Sequence, residues 1–146
     1  MNDQHHFIQE VRANPHDDMP RLIYADYLDE AGDPRGEFIR VQVELASMSV
    51  GEPARMALEE RQEALLDAFA EEWLAPLRAL GAEGVSRRCF ERGLVERVVM
   101  TVKNFLTHGA ELCALAPALH RLELRQAKER ISQLCERPFP PQITSL

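Results

Sequence analysis

Five carboxylates crowd a short stretch of this chain: Asp17, Asp18, Asp26, Asp29 and Glu30. Carboxylate groups can hold a divalent cation through their oxygens, or divide the work of general acid and base. A carboxylate-based, metal-dependent hydrolase would therefore be built on Asp17, Asp18, Asp26 and Glu30. The spacing favours another use. Asp26 and Glu30 stand one helical turn apart with no histidine beside them, and Arg21, Arg35 and Arg40 are near enough to neutralise them. An ion-pair network joining two helices is the expectation. Asp26, set between the apolar Ala25 and Tyr27, is the residue most expected to be structural, and if buried it needs an arginine donor.

The remaining reactive residue types fall into no catalytic pattern. His5, His6, His16, His108 and His120 lack zinc-ligand spacing, and Cys89, Cys113 and Cys135 form no C-x-x-C pair. Cys89 follows Arg87 and Arg88, which would lower a thiol pKa, but no base accompanies it and Phe90 beside it points to packing. Gly32-Asp33-Pro34-Arg35-Gly36 opens a helix, where a phosphate can dock, yet it lacks the G-x-x-x-x-G-K-[ST] pattern. A cap and a turn account for every residue in it. No catalytic residue, metal ligand or cofactor is expected.

Composition narrows the choice of partner. The chain has 146 residues, 45% of them hydrophobic, which suffices for a core. Acids outnumber bases 24 to 17 and the formal charge is −7, which argues against nucleic acid. No apolar run approaches the roughly 18 residues of a membrane span, and Met1–Phe7 does not read as a secretory signal. The expected compartment is the cytosol, where three cysteines stay reduced as small buried groups.

The elements that must position these residues begin with helices. Phe7, Ile8 and Val11 form a short apolar face that stops at Asn14-Pro15. Asp17 and Asp18 can cap a second helix carrying Leu22, Ile23, Tyr24, Tyr27 and Leu28, which ends at Gly32. Asp33-Pro34 starts a third, with Phe38, Ile39, Gln42, Leu45 and Ala46 at helical spacing. A fourth spans about 54–79, with Leu58, Leu65, Leu66, Phe69, Trp73 and Leu77 on one face and Pro76 kinking or dividing its end. Its acidic face reads as solvated.

After residue 84 the character changes. Residues 94–102 are β-branched and apolar and read as a strand. Val95, Val98 and Met100 have the spacing L-x-x-L-x-L, which recurs 24 residues later at Leu119, Leu122 and Leu124 and begins again at Ile143 and Leu146. Pro117 and Pro141 keep that offset, as do Leu115 and Phe139. A 24-residue period of this kind lies within the leucine-rich-repeat range. The ninth repeat position, often Asn or Cys, is Lys103 or Ala127 here, so an irregular repeat is expected.

The segment from Asn14 to Glu30, followed by Gly32-Asp33-Pro34-Arg35-Gly36-Glu37-Phe38-Ile39-Arg40, resembles a bacterial repeat-companion domain of planctomycete and myxobacterial type. Domains of that type often stand N-terminal to leucine-rich repeats, and Arg92-Gly93-Leu94-Val95 looks like the usual transition into them. The resemblance is strong over residues 7–48 and loose beyond. It implies no catalytic activity and makes Arg21, Asp26, Asp33, Pro34, Arg35, Gly36 and Phe38 a structural signature.

The expected fold is α+β: a helical domain of about four helices over residues 1–80, then a short, parallel, leucine-rich-repeat-like β segment over 81–146. The chain stops inside a third repeat, so truncation within a longer array is one expectation and capping by the helical half is another. The expected function is non-catalytic protein–protein interaction, through the repeat strands or the helical domain. The partner-binding residues are the outward strand positions Arg97, Val99, Thr101, Arg121, Glu123 and Arg125, whose arginines form a basic strip. A homodimer through the C-terminal strand edge is a further expectation, and a purely structural cap for a solenoid is the remaining alternative.

Overall fold

The computed structural model describes residues 3–126 and 142–144. Among these the order is α1 (Asp3–Ala13), α2 (Asp18–Glu30), α3 (Arg35–Ser47), α4 (Pro53–Ala79), a 3₁₀ turn (Arg87–Cys89), β1 (Phe90–Glu91), β2 (Leu94–Val95), β3 (Arg97–Thr101), α5 (Val102–Leu115) and β4 (Arg121–Arg125). The protein is therefore mixed helix and strand, with the helical part first.

Local chemistry accounts for the helix boundaries. The Asp17 carboxylate accepts from the Met19 N–H at 2.9 Å and caps α2. At the other end the Gly32 N–H donates to Asp29 O and the Asp33 N–H to Leu28 O, a Schellman closure. The Asp33 carboxylate accepts from the Arg35 N–H at 2.9 Å, and Pro34 already has helical dihedrals, so Asp33 is the physical cap of α3. Pro76 lies within the last turn of α4 and does not divide it.

Apolar stripes then set the packing. Val11, Tyr24, Ala25, Leu28, Ile39 and Val43 join α1, α2 and α3, while Phe38, Leu45, Leu65, Leu66 and Trp73 join α3 to α4. Phe38 is fully buried, with its ring 5.1 Å from Trp73 and 5.2 Å from Phe90. Gly36 permits the close crossing of α2 and α3. A Cβ there would stand 2.3 Å from Asp29 Oδ1 and 2.6 Å from the Ala25 carbonyl oxygen.

The β part departs from the sequence-based expectation at its start. Residues 94–102 do not form one strand. β1 and β2 make an antiparallel hairpin, while β3 and β4 form a parallel pair. The hairpin has a two-residue loop in which Arg92 and Gly93 both have positive φ (47° and 86°), the signature of a type I′ turn. The 24-residue spacing is the register of the parallel pair: Arg97 faces Arg121, Val99 faces Glu123 and Thr101 faces Arg125. α5 makes the crossover between the two strands.

The same offset continues through the backbone. The His120 and Arg121 N–H groups donate to Glu96 O, and the Thr144 N–H donates to His120 O at 2.9 Å. Val95, Val98, Met100, Leu119 and Leu122 are buried together, with Leu124 and Ile143 packed against them. Leu115 does not share this role, being 48% exposed at the end of α5. Lys103 lies in the first turn of α5 rather than in a loop. Phe139, Pro141, Ala127, Cys135 and Leu146 lie outside the described residues.

Candidate functional site: an arginine junction beneath a charged cleft

The helical part meets the hairpin at a buried polar junction. Position 21 falls on the same stripe of α2 as Tyr24, Ala25 and Leu28, which turns Arg21 inward to 0% exposure. Its guanidinium donates to the Glu91 and Arg92 carbonyl oxygens at 2.9 and 3.3 Å and to Pro15 O at 2.7 Å, and it also pairs with the Glu96 carboxylate. Arg92, at the hairpin tip, reaches the same place. It donates to Pro15 O at 2.9 Å, His16 O at 3.2 Å, Asp18 Oδ1 at 2.7 Å and Glu96 Oε1 at 3.3 Å. Two guanidiniums thus hold the α1–α2 loop, the start of α2, the hairpin and the residue preceding β3 in one arrangement.

The electrostatics follow from this geometry. Burial alone would raise the Glu96 carboxyl, but its hydrogen bond with Glu91 and the nearby Arg21 and Arg92 hold it below the ordinary value. Glu91 is pushed up instead, first by that hydrogen bond with Glu96 and then by burial, against a weaker opposing pull from Arg121. The two carboxyl groups therefore titrate as a pair. Burial lowers the Arg21 pKa, opposed by Glu96.

Above the junction, residues 83–91 run beside β3 and leave a cleft of about 290 Å³. Glu83, Arg88, Cys89, Glu91, Arg97 and Arg121 are among its lining residues. The Glu83 N–H donates to Val99 O at 2.7 Å and closes one end. Within the cleft Glu96 is held from below, and Glu83 is 3.5 Å from Arg125. Arg88 and Arg121 are exposed and make no hydrogen bond or ion pair through their side chains among the described residues.

The outward strand residues are brought together, though not as a free basic strip. Arg97 donates to Glu123 at 2.9 Å and Arg125 to the same carboxylate at 3.3 Å. These bonds lower the Glu123 pKa, while among the described residues the Arg121 side chain makes no hydrogen bond or ion pair and acts on Glu91 only through its charge. Val99 and Glu123 are half-buried. Thr101 is used otherwise, since its hydroxyl accepts from the Asn104 N–H at 3.2 Å and caps α5.

The carboxylates in and before α2 are dispersed. Asp17 caps α2, Asp18 pairs with Arg92, and Asp26 and Asp29 both pair with Arg40. An arginine does link α2 to α3, but Arg21 and Arg35 do not contribute. Arg21 points to Glu96, and Arg35 lies 6.0 Å from the centre of the Trp73 ring. Asp26 is not buried: its side chain is 68% exposed, because position 26 lies on the outer face of α2. Glu30 makes no ion pair among the described residues, which contain no group of three or more His, Cys, Asp or Glu placed to hold a metal ion. Among the same residues, no helix is long and apolar enough to cross a membrane.

Comparison with known protein families, with curated proteins and with solved structures gives no match for this chain.

Proposed function

We propose that this chain is a non-catalytic protein-recognition module, in which a helical unit of repeat-companion type leads into leucine-rich-repeat-like strand units. On this reading it works in the cytosol and presents the outer face of β3 and β4 to another protein. The single observation that carries the reading is the register. Arg97, Val99, Arg121, Glu123 and Arg125 stand side by side on two parallel strands whose inner faces are buried. Arginine and short aliphatic groups held on a rigid sheet make a surface ordered before binding, which lowers the entropic cost of association. The use of Asp17, Asp18 and Asp26 in capping and arginine pairing favours recognition over the carboxylate hydrolase alternative.

The test is retention of a partner on the immobilised full chain from a lysate of the cells that make it. A strand-face variant, E123K/R125E, is run beside a control on the exposed face of α4, E60K. A partner retained by the wild type and by E60K but lost by E123K/R125E is the expected result. Equal retention by all three contradicts the reading.

A further inference from the structure

We infer that the cleft between residues 83–91 and β3 is a carboxylate-binding site for an acidic side chain on an extended segment of the partner, with Arg88 and Arg121 as the binding cations. This rests on the recognition reading above and names the chemistry of the partner.

The charged groups of the cleft differ in how far they are already committed. The chain carries a formal charge of −7, and most of its described arginines are tied to a carboxylate or a carbonyl oxygen. Arg88 and Arg121 are not, and both line the concavity beside the strands. Two acids of the cleft are occupied in the opposite sense. Glu83 is close to Arg125 and Glu96 is held by Arg21 and Arg92, while Glu91 is exposed and feels the charge of Arg121. An incoming carboxylate therefore meets two guanidiniums whose side chains make no hydrogen bond or ion pair among the described residues, with Glu83 and Glu96 already paired and Glu91 the one native competitor for Arg121. Each guanidinium can grip it with two parallel N–H bonds.

The cleft, about 290 Å³, has room for a carboxylate side chain. The backbone of an extended ligand would then continue over Arg97 and Glu123, which are exposed or half-buried next to the opening.

The experiment titrates a fluorescent peptide with two glutamates in a Gly/Ser background against the full chain. Its glutamine analogue and inorganic phosphate are run in parallel. R88Q and R121Q change exposed side chains, and their circular dichroism and melting temperature check that the fold is kept. The expected result is binding of the glutamate peptide, loss of binding in the glutamine analogue, and roughly tenfold weaker binding for each arginine variant. Equal binding of the two peptides, no change in R88Q and R121Q, or phosphate binding without peptide binding each overturns the inference. In the retention assay, a partner kept by R88Q/R121Q but lost by E123K/R125E rejects the cleft and leaves the recognition reading standing. Retention unaffected by either variant rejects both.

Discussion

Replacing Arg21 with Met should unfasten the helical half from the hairpin. The side chain is fully buried, and its guanidinium satisfies Glu96 and the carbonyl oxygens of Glu91, Arg92 and Pro15. Methionine fills similar space without donors. Glu96 then keeps Arg92 at 3.3 Å, and Pro15 O keeps Arg92 at 2.9 Å, while the Glu91 and Arg92 carbonyl oxygens lose the Arg21 bond. Breaking one side of a buried ion pair costs about 3–5 kcal/mol. That is a large share of the roughly 5–15 kcal/mol of net stability usual for a domain. At about 2–4 °C per kcal/mol for a chain of this length, the melting temperature should fall by roughly 6–20 °C. Urea denaturation of R21M, E96Q and the double variant gives the coupling directly, which should be about 1–3 kcal/mol for groups in one network. A cost for R21M below about 1 kcal/mol, or strict additivity in the double variant, would refute the junction as the fastening between the two halves.

Other substitutions separate the remaining contributions. Gly36→Ala should cost about 1–3 kcal/mol by thermal melting, since the added carbon meets the Ala25 carbonyl, which cannot rotate away. Gly93→Ala should cost more, because a Cβ would lie 2.4 Å from the Ile39 Cα and the positive φ adds about 1–2 kcal/mol. Thr101→Ala should lower stability by about 1 kcal/mol in urea melts through loss of the α5 cap, and should leave partner retention unchanged. Glu91 has a raised pKa in the folded protein, so the folded state holds its proton longer and loses relative stability as pH rises through that value. Glu91→Gln removes this penalty. Denaturation curves should show a gain at neutral pH that fades below the ordinary carboxylate range, and a gain that persists in acid would contradict the assignment.

Much of the scaffold is legible in the sequence because short-range chemistry decides it. Asp17, Gly32, Asp33 and Pro34 mark helix ends through bonds made within a few residues, and the apolar stripes of α1 to α4 follow a 3.6-residue period. The 24-residue offset of Val98 and Leu122 is legible as a recurring apolar spacing, and the two residues are partners in the parallel pair. The junction is less legible. Arg21 reads as a partner for Asp26, although its place on the Tyr24–Ala25–Leu28 stripe signals burial, and Glu96 interrupts an apolar run for the same reason. The pairing of Arg21 with Glu96 spans 75 positions, and no local rule joins them. The hairpin is hidden because its I′ loop is Arg-Gly rather than the usual Asn-Gly. The cleft depends on which arginines remain unpaired once Glu123 is shared by Arg97 and Arg125, a matter of three-dimensional neighbours.

The central claim, that the outer face of β3 and β4 recognises another protein, is tested most directly by placing a photo-crosslinking residue at Val99. A second copy of the experiment places it at Val50, which is 94% exposed on the loop between α3 and α4. Irradiation in the cells that make the protein should give one discrete adduct from position 99, absent in E123K/R125E, and none of that mass from position 50. The same adducts from both positions, or no adduct from position 99, would contradict the account.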